Sequence, residues 1–320
     1  MIRKNNMTIK KKYLLKFILT IILLSLFIFK INTAEVFKSL GEISFTVILS
    51  VILIDVAANF LSAYKWHLLI PLHSYLQILF VGMLGRFYSF VLPGQLVGEA
   101  VKAYQLGTKK NSGEQIAASV VIDKVTGIIG VFIIGIMGLL MSAKSIPAEF
   151  LTSLITGMTL AVLFLFSLRL NYFKKLLSKI LKFIAEKISR IKPFIEKINN
   201  MLEIWEAYLL RPVFIFYNII LGCLYQLTGV AMIFLLSRSL NISLNATDYC
   251  WIFAVVSIAL LLPVTIAGLG VREGAFIGIM AMLGVSNEKA LALSFAFLAV
   301  QIFDALIGGI VELTKVYKKF

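Results

Sequence analysis

Charge is what this 320-residue chain has little of. Asp, Glu, Lys and Arg make up 15% of it, against 60% hydrophobic residues, where a soluble domain carries roughly 25% charged residues. That shortage excludes an ordinary soluble globule. It implies an all-α polytopic membrane protein with one domain over 1–320, because the apolar runs recur along its whole length. Cysteine is nearly absent: Cys223 and Cys250 both lie in apolar runs, so no disulfide framework is expected. The two histidines, His67 and His73, have no partners at metal-ligand spacing, so neither a metal nor another cofactor is expected. There is no Walker loop, no Ser-His or Cys-His constellation, and too little polar sequence to form an ATPase.

What charge there is carries a bias. The net charge of +15 would fit nucleic acid, but its placement does not. Residues 1–16 hold six basic residues and no acid, 169–211 hold ten basic and four acidic, and the tail after Thr314 holds three lysines, together 19 of the 31 basic residues. The segments 30–42, 142–149, 237–249 and 284–289 are each neutral. Basic loops stay on the cytoplasmic side. Both termini and the 169–211 loop are therefore expected to face the cytoplasm.

A spanning helix needs about 20 mostly apolar residues. Tyr13–Phe29, Ile43–Ala63, Ile116–Met141, Phe150–Leu168, Pro212–Leu236 and Ala290–Val311 qualify as about six full spans. The first is too long for a signal core and reads as an uncleaved anchor. Two further apolar regions, 74–106 and 249–283, are interrupted by Pro93-Gly94 and by Pro263, Gly268 and Gly270. Parity of crossings makes each a re-entrant hairpin, the first entering from the cytoplasm and the second from outside. Two short full crossings in each region satisfy parity equally well. Paired broken segments in two halves of a chain point to a midplane substrate site. The connector 171–209 has Leu177, Leu181, Ile184, Ile188 and Ile191 at helical spacing with lysines between, which fits amphipathic helices lying on an anionic leaflet.

The breaks collect ionisable residues. Arg86 precedes Pro93, and Glu99 and Lys102 follow it one helical turn apart, so they can pair. Asp123-Lys124 open the next span, Arg272-Glu273 follow Gly270, and Gln301 and Asp304 share a face of the last span. Asp55 and Asn59 read as polar glue between helices. Arginine offers a planar fork that matches phosphate or carboxylate, and helix starts after Pro93 and Gly270 would add backbone N–H groups. The expected substrate-binding set is Arg86, Pro93, Gly94, Glu99, Lys102, Asp123, Lys124, Gly268, Gly270, Arg272, Glu273 and Asp304. The competing reading is that these charges pair only to lock helices together.

RFYSFVLPGQLVGEAVKAYQLG (86–107), SVVIDKVTGIIG (119–130) and PVTIAGLGVREGA (263–275) resemble the lysylphosphatidylglycerol synthase transmembrane, or flippase-like, family over roughly 40–315. Where relatives often carry Glu-Arg, this chain has Asp123-Lys124, which keeps acid before base but loses the fork. The resemblance implies a stand-alone, multi-pass protein of a bacterial or archaeal cytoplasmic membrane that handles lipid, without the soluble synthetase domain. The function expected is flippase-like: binding and translocating a phospholipid or polyprenyl-phosphate-type lipid, with Arg86 and Arg272 on the phosphate. A membrane enzyme, or a non-catalytic accessory of glycosyltransferases or other envelope enzymes, is the alternative. No nucleic-acid partner is expected.

Overall fold

The computed structural model of the chain describes residues 18–22, 25, 31–92, 96–107, 113–142, 148–167, 200, 203–208, 210–261 and 264–320. Pro93, Gly94 and Pro263 lie outside the described residues, as do most of the 13–29 span and most of the 171–209 connector. Within the described residues the chain is helical, with no strand. The helices are α1 (Thr33–Gly41), α2 (Phe45–Leu69), α3 (Tyr75–Val91), α4 (Leu96–Gly107), α5 (Gly113–Met141), α6 (Ala148–Ser167), α7 (Pro212–Ser239), α8 (Ala246–Leu261), α9 (Val271–Met282) and α10 (Asn287–Thr314).

Four of these, α2, α5, α7 and α10, are 25, 29, 28 and 28 residues long, with mean hydropathy of 2.1–2.2 in their most apolar stretch. At 1.5 Å per residue that gives about 37–44 Å, enough to cross a ~30 Å hydrocarbon core. Their starts are set locally. The Ser44 and Ser286 hydroxyls accept from the backbone N–H groups of Val47 and Lys289, and Pro212 occupies the first turn of α7, where a missing N–H does no harm. Their outer faces stay apolar: Leu53, Phe60, Leu306, Ile310 and Leu313 are exposed, as lipid requires. Helix α2 runs six residues past the expected end of its span, to Leu69, and so carries Lys65 on its inner face.

The two interrupted regions form helical hairpins. Helices α3 and α4, of 17 and 12 residues, are about 25 and 18 Å long, and α8 and α9, of 16 and 12 residues, are about 24 and 18 Å. Each is short of the hydrocarbon thickness. In the first hairpin the arms touch backbone to backbone: a Cβ at Gly98 would lie 2.1 Å from the Gly85 carbonyl oxygen. In the second, the chain turns through Gly268 (φ 72°) and Gly270 (φ 85°), a region that glycine enters without strain.

Bonds between chain segments sort the helix ends into two faces. On one, Ser44 N–H donates to Ser239 Oγ, Lys289 Nζ to the Asn241 carbonyl, and Ser142 Oγ to Thr247 Oγ1. Three neutral segments, 142–149, 237–249 and 284–289, and the residue Ser44 just after a fourth, thus gather there. On the other face, the Tyr208 hydroxyl donates to the Leu69 carbonyl at 2.6 Å and Phe320 stacks on Phe80. Each hairpin anchors its own hydrophobic core. One is built around Trp251, Ile252, Phe276 and Leu293, the other around Trp66, Ile78, Leu84 and Ile116.

Candidate functional site

Between the two cores lies a cavity of about 390 Å³, within the ~300–1,000 Å³ typical of small-molecule sites. Helices α2, α3, α4, α5, α7, α8 and α10 all contribute lining residues. Its chemistry is divided. The walls from α2, the α3–α4 hairpin and the first part of α5 bring Lys65, Arg86, Glu99, Lys102, Asp123 and Lys124. The walls from α8 and the neighbouring parts of α7 and α10 bring Met232, Phe253, Val256, Leu260, Leu261, Phe297 and Val300. Asp55 and Asp304 complete the ionisable set, which holds four acids and four bases.

The bases are not equally engaged. Lys65, 4% exposed, donates to the Asp123 carboxylate at 2.8 Å and to its carbonyl at 2.6 Å. Lys102 sits 3.0 Å from Glu99 one turn earlier and 5.6 Å above the Trp66 ring. Both ammonium groups are neutralised at contact distance, and the Trp66 face adds cation–π attraction. Lys124 and Arg86 are held more loosely: Lys124 Nζ is 3.7 Å from Glu99, and Arg86 Nη1 is 3.7 Å from Asp304 Oδ1. Both distances exceed a hydrogen bond. Among the described residues, Nη1 of Arg86 has no hydrogen-bond partner. A buried donor left this way favours an acceptor that enters the cavity. Asn59 ties the floor together, since Nδ2 donates to Asp55 Oδ2 at 3.2 Å and to Asp304 Oδ1 at 3.0 Å.

Of the residues expected at the site, Arg86, Glu99, Lys102, Asp123, Lys124 and Asp304 meet in this cavity. Arg272 and Glu273, expected to share one ligand with Arg86, are not among its lining residues. Their side chains have no exposed surface, and they satisfy one another. Glu273 Oε1 accepts from Arg272 Nε at 3.2 Å, from Arg272 Nη2 at 2.9 Å and from Ser294 Oγ at 3.2 Å, while Oε2 accepts from the Gly270 N–H. Gly268 and Gly270 shape the turn that brings these groups together; Ala267, in the same turn, lines the cavity, whereas Gly268 and Gly270 do not. The physical reason is that a guanidinium deep in apolar surroundings needs a full set of acceptors, and the turn supplies them within the protein. Among the described residues, the pair is bonded to one lining residue: Arg272 Nη1 donates to Oε1 of Gln301 at 2.6 Å.

Lys65, Tyr225 and Gln226 are lining residues that the sequence reading passed over. Lys65 falls two residues past Ala63, the expected end of its span. The face of α7 was legible in principle: Asn218, Gly222, Tyr225, Gln226 and Gly229 recur at helical spacing in an otherwise apolar run. Asn218 and Gln226 bond to the Lys65 and Gly127 carbonyls. Among the described residues no cluster of three or more His, Cys, Asp or Glu could hold a metal.

A polytopic helical membrane protein, with two helical hairpins and a cavity lined by both charged and apolar side chains, is the class this fold and site define. The model of the lysylphosphatidylglycerol synthase TM region family matches residues 13–308, and the chain belongs to that family. Among curated proteins and solved structures none matches it.

Proposed function

We propose that the protein is flippase-like: it takes a phosphate-bearing lipid into the cavity between the hairpins and carries its headgroup across the membrane. The observation that carries this reading is the division of the cavity wall, ionisable toward the α3–α4 hairpin and apolar toward α8. That is the complement of an amphiphile. Arg86 and Lys124 are the cations with capacity to spare, each 3.7 Å from its nearest acid. They take the phosphate, with Arg86 Nη1 gaining the acceptor it lacks. Glu99 and Asp304 hold these cations in position before the lipid arrives. A cavity of about 390 Å³ accommodates a headgroup and leaves the acyl chains in the bilayer.

The basic face belongs in the cytoplasm by the rule that lysine-rich loops are retained there. This orientation puts both termini inside a bacterial or archaeal cytoplasmic membrane, with hairpin α3–α4 opening inward and α8–α9 outward. Lipid-modifying or glycan-transferring envelope enzymes are the partners such a carrier would serve.

The test uses proteoliposomes with headgroup-labelled phosphatidylglycerol and a membrane-impermeant quencher. The wild type accelerates transfer between leaflets, and the Arg86→Ala/Lys124→Ala double variant is at least tenfold slower, since each loses a charge-assisted bond of about 1.5–3 kcal/mol. Equal rates would overturn the proposal.

A further inference from the structure

We infer that Gln301 is a specificity-determining residue of the cavity, and that the buried Arg272–Glu273 pair is the device that orients it to donate. The inference rests on the headgroup reading above and adds to it a second, uncharged contact to the lipid phosphate. An arginine side chain carries donors only. The 2.6 Å bond from Arg272 Nη1 therefore settles which end of the Gln301 amide faces α9: Oε1 is turned to Nη1. Arg272 in turn cannot swing, because Glu273 grips Nε and Nη2, and Glu273 is itself held by Ser294 Oγ and the Gly270 N–H. Both members of the pair are fully buried.

Gln301 itself lines the cavity, whereas Arg272 does not. With its oxygen committed to Arg272, what the amide has left for the cavity is Nε2 and its two N–H groups, which make no hydrogen bond among the described residues. An unconstrained glutamine could rotate to meet donors or acceptors alike. Here rotation would set two sets of N–H groups against each other in a water-poor interior, with a penalty set by a buried, unpaired guanidinium. Gln301 also lies one helical turn before Asp304 on α10, and Asp304 is the acid nearest Arg86 Nη1. Two donors, one charged and one neutral, thus flank the same stretch of wall.

The ligand that fits is an acceptor-only group such as the ionised oxygens of a phosphodiester. A headgroup ammonium, which carries donors only, gains nothing from either donor, and a neutral hydroxyl accepts a weaker bond than an ionised phosphate oxygen does. This also gives Arg272 and Glu273 a role without ligand contact. They are positioning residues, locking a neutral side chain into one orientation.

The experiment is calorimetric titration of purified full-length protein in detergent with dioctanoyl phosphatidylglycerol, with dioctanoylglycerol as the phosphate-free control, alongside thermal unfolding of each variant. Gln301→Glu keeps an oxygen for Arg272 and replaces the cavity-facing N–H groups with an acceptor. The expected result is a folded variant that binds phosphatidylglycerol about tenfold to a hundredfold more weakly, with dioctanoylglycerol unaffected. Gln301→Met, similar in length and needing no partner of its own, is titrated in parallel and shows the same loss, so the outcome stands if the glutamate variant fails to fold. Wild-type affinity in either folded Gln301 variant, with binding lost in Arg86→Ala, overturns the role of Gln301 and leaves the headgroup reading intact. Wild-type affinity in Arg86→Ala, or no binding by the wild type, overturns the headgroup reading and this inference with it.

Discussion

Glu273→Ala should unfold the protein at a much lower temperature without removing any group from the cavity wall. The Glu273 carboxylate accepts two bonds from Arg272, one from Ser294 and one from the Gly270 N–H. Truncation leaves a guanidinium of zero exposure with Gln301 as its remaining acceptor. Removing one member of a buried ion pair costs about 3–5 kcal/mol, and at roughly 2–3 °C per kcal/mol for a large domain that is a fall of about 6–15 °C. Thermal unfolding in a fixed detergent, followed by tryptophan fluorescence, measures it. The companion is Arg272→Met/Glu273→Leu, which replaces the pair with apolar groups of similar volume. It should melt closer to wild type than Glu273→Ala does, because no uncompensated charge remains. A Glu273→Ala protein melting within about 2 °C of wild type would refute the reasoning. So would a double variant less stable than the single one.

The hairpins supply two further expectations. Gly98→Ala drives a methyl group into the Gly85 carbonyl and the Ser89 hydroxyl, each 2.1 Å from the added Cβ, and should lower stability by about 1–3 kcal/mol. Gly278→Ala, inside α9 with nothing within 4 Å of the added Cβ, should raise the melting temperature slightly in the same assay, by the ~0.4–1 kcal/mol that alanine gains over glycine in a helix. Under the proposed topology, reporter fusions at 107–114 and at 284–289 should appear on opposite sides of the membrane; reporters on the same side would rule that topology out.

Much of the site was legible along the chain. Glu99 and Lys102 were expected to pair one turn apart on a single face, and their charged groups lie 3.0 Å apart. Asp55 and Asn59 were read as glue between helices, and the Asn59 amide bridges Asp55 and Asp304. Lys65 was not legible in the same way, because hydropathy marks where a span loses its apolar run, and α2 continues past that point. The bond between Gln301 and Arg272 was hidden for a different reason. The two stand 29 residues apart, and no periodicity connects two helices across a turn.

Hydropathy, helix breaking and the placement of basic residues are local properties. By themselves they determined that this is an all-helical membrane protein, where its helices break, and which loops are neutral and which basic. Direction of a buried side chain is not local. Arg86 and Arg272 both stand beside helix breaks in apolar sequence, and in sequence they look alike. Only the tertiary structure decided that, among the described residues, Nη1 of Arg86 is left without a hydrogen-bond partner at a cavity while Arg272 spends its donors inside the protein. The physical reason is the turn at Gly268 and Gly270, which brings Glu273, Ser294 and Gln301 around one guanidinium. The α3–α4 hairpin instead leaves Arg86 3.7 Å from its nearest acid.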